Sequence, residues 1–350
     1  MVVRSEVKRL ELELVESRRK LAETEAALVR LVHEGRHLPG VLDQRIEDYW
    51  AAYHGDCVSV LGGLKTDSIH YSIFSPPFAS LFVYSDSIND MGNSSYEEFF
   101  DHFMFLLPEL FRVMMPGRLV SVHCMNIPMT IGVDGAIGIK DFRGELIRLF
   151  VEKGFIYHSE VCIWKDPLVQ ATRTKQLPLA HKQISKDSTR CGMGYADYVE
   201  TFRKPGENLE PVSHGRGFED YIGNRSEPKT KKNDIHGLNK YSQHVWQRYA
   251  SPVWFDIRQT NTLNIRQARE KDDERHICPL QLDVIARCLE LWTNPGDIVL
   301  SPFAGIGSEG YESLRRKRRF IGVELKKSYF DVMVKNLKAA VKGKGGFLDA

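Results

Sequence analysis

The chain lacks the long apolar runs and the paired cysteines that would assign it to a membrane or to an oxidising compartment. No stretch of its 350 residues has the roughly 18 apolar residues that a bilayer-spanning helix needs, and the charged N-terminus lacks the apolar core of a signal peptide. The six cysteines form no CxxC pair, which argues against a zinc ribbon and a disulfide framework. These absences predict a cytosolic protein, and no metal site is predicted.

The first 38 residues read as a separate helical segment. Residues 4–34 contain no glycine or proline and are rich in Glu, Lys, Arg, Leu and Ala, which favours a helix. Val7, Leu14, Leu21 and Leu28 repeat every seven residues, but half of the alternate seam is polar. A coiled coil that joins two copies of the chain and a helix packed on its own protein both remain open.

From residue 50 onward, alternating strands and helices predict an α/β domain. Short apolar runs alternate with amphipathic segments, the pattern of a doubly wound, mostly parallel sheet in a Rossmann-like fold. The predicted strands cover 67–74, 118–123, 157–164, 297–300 and 319–324, and the predicted helices cover 96–114, 141–153, 279–292, 310–316 and 328–341.

A polar, irregular region interrupts this alternation between residues 165 and 250. It holds 15 Lys and Arg against 10 Asp and Glu, a balance of +5, whereas the whole chain carries +2. A long segment of this kind inside a compact domain is usually functional or disordered. We therefore divide the chain at 1–38, 50–164, 165–250 and 251–341.

A glycine-rich turn lies between the predicted strand at 297–300 and the following helix. Gly305, Gly307 and Gly310 have G-x-G-x-x-G spacing, and Glu324 follows Gly305 by 19 residues at the end of the next strand. Such glycines let the backbone approach a ligand closely, and the acid can accept hydrogen bonds from a ribose diol. The pattern suits a nicotinamide dinucleotide as well as an adenosyl cofactor.

The tetrapeptide Ser75-Pro76-Pro77-Phe78 follows another predicted strand, at 67–74. Two consecutive prolines fix an extended turn and remove two N–H donors, which leaves rigidly aimed carbonyls. Open α/β sheets place their active sites at this end of a strand. Carbonyl and hydroxyl acceptors here can hold an amino group, and the Phe78 ring offers a flat face for a base.

Together these motifs resemble the permuted, beta class of S-adenosylmethionine-dependent DNA amino-methyltransferases. In that class the catalytic tetrapeptide comes first, the target-recognition region second and the glycine loop third, which is the order of 75–78, 165–250 and 301–308 here. The resemblance covers roughly residues 50–340. Shorter matches support it, at Gly55-Asp56-Cys57, Trp164-Lys165, Arg275–Pro279, Phe320–Glu324 and Tyr329.

The resemblance implies roles for particular residues. The implied catalytic residues are Ser75, Pro76, Pro77 and Phe78. The implied cofactor-binding residues are Asp56, His276, Cys278, Pro279, Ser301, Phe303, Ala304, Gly305, Gly307, Ser308 and Glu324. The implied DNA contacts are Lys165, Arg173, Lys175, Lys229, Lys231 and Lys232.

The implied function is transfer of a methyl group from S-adenosylmethionine to the exocyclic N4 of cytosine in DNA, with the base flipped out of the duplex. The implied setting is the cytoplasm of a bacterial or phage-infected cell, in restriction–modification. Ser75 heads the catalytic motif, which is typical of cytosine-N4 enzymes, and adenine-N6 methylation is the nearest alternative. Ser301 departs from the family, which usually has an aspartate there.

Other function classes remain as alternatives. A nicotinamide-dependent oxidoreductase explains the glycine loop but leaves the Ser-Pro-Pro-Phe turn without a role. Methyltransferases of protein glutamine or RNA commonly carry Asn-Pro-Pro-Tyr after the glycine loop, the opposite order. The Ser301 departure also allows an inactive, DNA-binding relative. The basic run 315–319 is either a solvated helix end or a contact with the DNA backbone.

Overall fold

The structure is a computed structural model that describes residues 40–78, 96–174, 181–225, 239–264, 279–343 and 346. For residues 171–174 and 190 it describes the backbone alone. The predicted N-terminal helix, and with it the predicted pairing of two copies, lies outside the described residues.

Eleven strands occur in the described residues. In chain order they are β1 (Val41–Ile46), β2 (Trp50–Gly55), β3 (Ile69–Phe74), β4 (Met114–Met125), β5 (Ile127–Met129), β6 (Gly138–Lys140), β7 (Ile156–Ile163), β8 (Asp197–Arg203), β9 (Val253–Trp254), β10 (Ile298–Ser301) and β11 (Arg319–Glu324). The five strands predicted from the sequence are all present, with shifted ends.

Ten helices accompany the strands in the same part of the chain. They are α1 (Cys57–Gly62), α2 (Tyr96–Val113), α3 (Ile131–Asp134), α4 (Phe142–Glu152), α5 (Pro167–Thr174), α6 (His181–Ile184), α7 (Lys240–Tyr249), α8 (Leu282–Trp292), α9 (Ser308–Arg315) and α10 (Lys327–Lys342). No helix of the described residues is long and apolar enough to cross a membrane.

Nine of the strands form one sheet, in the order β1-β2-β11-β10-β3-β4-β8-β7-β9. The five strands from β2 to β4 in this order run parallel to one another, whereas β1 and β8 pair with their neighbours antiparallel. The prediction of a doubly wound, mostly parallel sheet is confirmed.

Each face of the sheet carries its own apolar core. Successive side chains of a strand point to opposite faces, so β11 sends Ile321 and Val323 into one core and Phe320 into the other. Helices α1, α2 and α4 cover the first face, and α8, α9 and α10 cover the second. The result is a three-layer α/β/α domain whose parallel strands all end at one edge.

The interpretation of 165–250 as one irregular region is wrong for β8, which lies inside the sheet between β4 and β7. It carries a buried polar side chain on each face, Glu200 on one and Thr201 on the other, so its sequence does not read as an apolar strand. Both polar side chains have partners, since the Tyr157 hydroxyl donates to Glu200 at 2.6 Å and the Thr201 hydroxyl lies 2.9 Å from that of Ser121. Hydrogen bonds with other strands therefore stabilise β8, which cannot be recognised as a strand from its composition.

The basic run 315–319 turns largely inward. Arg318 and Arg319 are buried, and Arg316 pairs with Glu290 and Glu312. The run lies where β11 begins, which is the edge of the sheet opposite the strand ends that carry Ser75 and Ser301. Arg316 and Arg318 instead bind the end of α9 to Glu290 and Thr293, so these arginines do not form a solvated helix end. A DNA contact by the run stays a prediction.

Candidate active site

The sheet register brings the Ser-Pro-Pro-Phe turn and the glycine loop side by side. Strands β3 and β10 are parallel neighbours, with Ser72 level with Leu300. The chain therefore leaves β3 at Ser75 and β10 at Ser301 on the same edge. The Phe303 ring packs against Phe74, with ring centroids 5.6 Å apart, and so connects the two loops.

Ser75 lies at the start of a hydrogen-bonded series of side chains, which we call the Ser75 network (Ser75, His123, Asp197 and Lys165). Its hydroxyl is 3.0 Å from Nδ1 of His123, whose Nε2 is 3.0 Å from the Asp197 carboxylate. The Lys165 ammonium forms an ion pair with the same carboxylate oxygen. Four segments of the chain, each ending or beginning at this edge, supply one group each.

Three of the four side chains of the Ser75 network are nearly closed to solvent, and Ser75 is half-buried. The side chains of His123, Asp197 and Lys165 are each less than a tenth exposed. Burial opposes the charge on Asp197, but the Lys165 ammonium and the His123 imidazole outweigh it and lower the pKa of this carboxyl to about 2. Asp197 is therefore a carboxylate at neutral pH, and it accepts from His123.

Sequence reasoning missed His123 and Asp197. His123 ends the predicted strand 118–123, and Asp197 falls in the region that was read as irregular. No local motif marks either residue, because their role depends on the pairing of β4 with β8, which puts Asp197 opposite Met125. A buried polar residue at the carboxyl end of a predicted strand was the one available signal.

Phe78 packs into the side of the site. Its ring centroid is 6.2 Å from that of His123 and 6.0 Å, edge to face, from that of Phe142. These contacts fix the ring, and it remains half-buried. Pro76 is buried and Pro77 half-buried, so the tetrapeptide forms a rigid wall beside the Ser75 hydroxyl.

The glycine loop is closed by the acid at the end of β11. The Gly305 N–H donates to the Glu324 carboxylate at 2.8 Å, and the Lys326 N–H donates to its other oxygen at 2.8 Å. The Asn336 side chain of α10 donates to the Ile306 carbonyl at 2.8 Å. The protein's own groups thus hold the loop from two sides.

Two features of the loop fit an adenosyl cofactor. Gly305 has a left-handed φ of 53°, and a Cβ there would have no heavy atom within 4 Å, so open space adjoins its backbone. The Ser301 hydroxyl is fully buried and has no hydrogen-bond partner among the described residues. An open cradle beside an unpartnered polar atom is the arrangement that a polar ligand completes.

Comparison with known proteins identifies the family. A family model described as DNA methylase, of the N6 and N4 amino type, matches residues 69–335. The chain belongs to this DNA methylase family. S-adenosylmethionine is accordingly its cofactor, as the glycine loop and the tetrapeptide together predicted, and the prediction of the family is confirmed.

Individual relatives agree with this assignment. The type II methyltransferase M.Cfr9I of Citrobacter freundii is 35% identical over 309 residues, which cover 82% of this chain and 87% of that one. M.BamHI of Bacillus amyloliquefaciens is 21% identical over 279 residues, and the match covers 79% of this chain but only 55% of that protein.

Solved structures have the same fold. The protein TTHA0409 of Thermus thermophilus, complexed with S-adenosyl-L-methionine, matches with a TM-score of 0.55 and 21% identity, over 83% of this chain and 93% of that one. The cytosine-N4-specific PvuII DNA methyltransferase matches with a TM-score of 0.53 and 18% identity, over 85% of this chain and 94% of that one.

Some of the other predicted cofactor-binding residues of this DNA methylase are described, and the rest lie outside the described residues. Asp56 follows β2 at the same edge and caps α1, where its carboxylate accepts from the Ser59 N–H at 2.8 Å. Pro279 is half-buried just before α8. Ala304, Gly307 and Ser308 lie in the loop or at the start of α9. His276 and Cys278 lie outside the described residues.

Most of the residues that were predicted to contact DNA lie outside the described part of the chain. Lys175, Lys229, Lys231 and Lys232 lie outside it, and only the backbone of Arg173 is described. Lys165 is described, and its ammonium is held by Asp197 rather than presented on the surface. A phosphate contact by Lys165 would require this ion pair to open.

One group of possible metal ligands occurs in the described residues, formed by His70, Glu210 and Asp297. It lies at the edge opposite the glycine loop, where the buried guanidinium of Arg118 already binds Asp297. His33 and His37 have the four-residue spacing of helical zinc ligands, which the sequence prediction overlooked, and they lie outside the described residues. The absence of a metal therefore stays a prediction.

A matched pair of glycine variants separates ligand binding from packing. Gly305→Ala is expected to weaken S-adenosylmethionine binding about 10-fold or more, because the new methyl group enters the open cradle and strains the left-handed backbone. Gly310→Ala places a methyl group in steric conflict with Leu337 and Phe320 and is expected to destabilise the fold by about 1–3 kcal/mol. Isothermal titration and thermal unfolding of both variants measure the two effects. Equal affinity in wild type and Gly305→Ala would remove the loop from the cofactor site.

Proposed function

We propose that this DNA methylase transfers the methyl group of S-adenosylmethionine to the exocyclic N4 of cytosine in DNA. The observation that carries the proposal is the position of the Ser75 turn beside the glycine loop, on neighbouring parallel strands. One loop offers hydrogen-bond acceptors for an amino group and the other offers space for an adenosyl cofactor. A hydride-transfer reaction would leave the first loop without a function.

The proposed chemistry consists of positioning and electrostatics. An exocyclic amine is a poor nucleophile because its lone pair is delocalised into the ring of the base. The Ser75 hydroxyl and a carbonyl of the Ser75-Pro76 pair accept its two N–H groups and hold the nitrogen nearer to sp³ geometry. When bound, the cofactor supplies an electrophilic methyl group on a sulfonium. No covalent intermediate with the protein is required.

Base flipping is part of the proposal, because a base that stays stacked within a duplex cannot reach the Ser75 hydroxyl at the strand ends. Phe78 offers one ring face beside Ser75. Trp164 follows β7 next to Lys165 and is 50% exposed, so it supplies a second aromatic surface at the same edge. Both rings can stack on an unpaired base.

The choice of cytosine rests on Ser75 at the head of the tetrapeptide. Adenine-N6 is the alternative base. Incubation of DNA with the protein and labelled cofactor, followed by nucleoside mass spectrometry, tests both levels of the proposal. N4-methylcytosine supports it in full, N6-methyladenine corrects the base, and no methylated nucleoside refutes the reaction.

The Ser301 position tests how the site binds a cationic cofactor. Ser301→Asp restores the usual acid of the family, and we expect it to tighten S-adenosylmethionine binding about 10-fold, since a carboxylate near the ammonium or sulfonium adds attraction at low dielectric. Cofactor titration into both proteins, with thermal unfolding as the check on folding, measures this. Weaker binding by a folded Ser301→Asp variant would refute the hypothesis that the cofactor site lacks a negative charge at position 301.

A further inference from the structure

We infer that His123 is the terminal acceptor of the proton that leaves the target amine, and that Ser75 passes this proton on. The inference rests on the proposed methyl transfer and adds a group that no sequence motif marks. It assigns the Ser75 network a function in the reaction, with Asp197 and Lys165 as the residues that position and polarise the imidazole.

The hydrogen bonds fix the direction of the network. Because Asp197 is a carboxylate, it can only accept, and so His123 must donate through Nε2. A neutral imidazole with its proton on Nε2 has a free lone pair on Nδ1. The Ser75 hydroxyl, 3.0 Å away, therefore donates to Nδ1. Its own lone pairs are left to accept from the substrate.

This polarity matches the proton that the reaction must release. As the N4–methyl bond forms, the sulfur–methyl bond breaks and its electron pair stays on sulfur, and the amine becomes a strong acid. One N4 proton moves to the Ser75 oxygen while the Ser75 proton moves to Nδ1 of His123. The product amine is then neutral, Ser75 is regenerated, and the imidazolium is paired with Asp197 until it releases the proton to water.

Lys165 prevents a competing transfer. A histidine beside a protonated aspartic acid would lose the partner of its Nε2 proton, but the Lys165 ion pair keeps Asp197 ionised. Two cysteines lie within electrostatic range of Asp197, Cys124 on β4 and Cys162 on β7, and burial raises the pKa of both thiols. They therefore remain neutral, and the Asp197 carboxylate and the Lys165 ammonium are the charged groups of the Ser75 network.

His123→Asn gives the sharpest test. The asparagine oxygen can occupy the place of Nδ1 and still accept from Ser75, but an amide is not a base at neutral pH. We expect the single-turnover methylation rate at pH 7.5 to fall about 100-fold, the usual contribution of a general base. A residue that only orients Ser75 would be replaced by asparagine with little loss. Cofactor affinity and thermal unfolding show whether the variant folds.

The pH profile supplies a second, independent readout. The wild-type single-turnover rate is expected to fall towards acidic pH, because a protonated imidazole cannot accept a further proton, and His123→Asn should lack that acidic limb. Asp197→Asn should lower the rate at least 10-fold and also shift the limb. His158→Asn, on the exposed part of β7, is the matched control and should keep the wild-type rate and profile.

The outcomes separate this inference from the proposed function. If wild type methylates no base in DNA, the proposed function fails. If wild type is active and a folded His123→Asn variant keeps both its rate and its pH profile, the proton transfer to His123 is refuted while the methyl transfer stands. A 100-fold loss together with loss of the acidic limb supports it.

Discussion

Replacing Ser75 with alanine is expected to lower the methylation rate at saturating DNA and cofactor by about 100- to 1,000-fold, the effect of removing one acceptor or donor from a preorganised polar site. The variant loses the hydroxyl that accepts from the amine and also the connection to His123. Cofactor binding should change little, because Ser75 lies outside the glycine loop. Single-turnover methylation and isothermal titration measure the two quantities.

Ser72→Ala is the matched control for this experiment. Ser72 lies three residues earlier on the same strand, is fully buried, and donates to the Leu300 carbonyl at 3.0 Å. Its loss should cost about 1 kcal/mol of stability and leave the rate of the folded enzyme nearly unchanged. Pro76→Ala should behave like Ser75→Ala, because it frees the turn that aims the carbonyls. An active Ser75→Ala variant would show that the catalytic assignment is wrong.

Glu309→Gln is expected to remove a large part of the pH dependence of folding. Glu309 is the second residue of α9, directly after the glycine loop, and is 4% exposed. Burial is the main cause that raises the pKa of its carboxyl to about 8, and the nearby Glu324 raises it further. The folded chain therefore holds this proton far more tightly than the unfolded chain does.

The direction of this pH dependence follows from the raised pKa of Glu309. Its contribution to stability is fully present below the ordinary carboxyl pKa of 4.5 and is lost as the pH rises through about 8. Between pH 5 and pH 9 the wild-type free energy of unfolding should fall by on the order of 2–4 kcal/mol from this group. The Gln variant, which cannot ionise, should be the more stable protein at pH 9.

Urea unfolding of wild type and Glu309→Gln at pH 5, 7 and 9 measures this difference. Glu152→Gln, on the exposed end of α4, is the matched control and should follow wild type at every pH. Parallel curves for wild type and Glu309→Gln would mean that the carboxyl is ionised in the folded state at neutral pH.

Much of the fold could be predicted from local signals. The apolar runs that become β3, β10 and β11 are buried on both faces, so their composition marks them as central strands. The helix after the glycine loop was also predicted, although it begins at Ser308 rather than at Gly310. Strand β8 was missed because Glu200 and Thr201 make it look polar.

Local sequence was sufficient for the two loops that define the chemistry. Prolines at 76 and 77 restrict the backbone, and glycines at 305 and 307 permit the left-handed φ found at both positions, so the turn and the cradle are local properties. Their order along the chain was enough to favour amino-methyl transfer over hydride transfer, and the family comparison agrees.

The surroundings of Ser75, by contrast, depend on how the strands pair. His123, Lys165 and Asp197 are separated by 42 and 32 residues, and the pairing of β4, β8 and β7 brings them to one edge. The same pairing makes Lys165, a predicted DNA contact, the counterion of Asp197. Hydrogen bonds and ion pairs between distant strands depend on sheet register, which no spacing within one segment encodes.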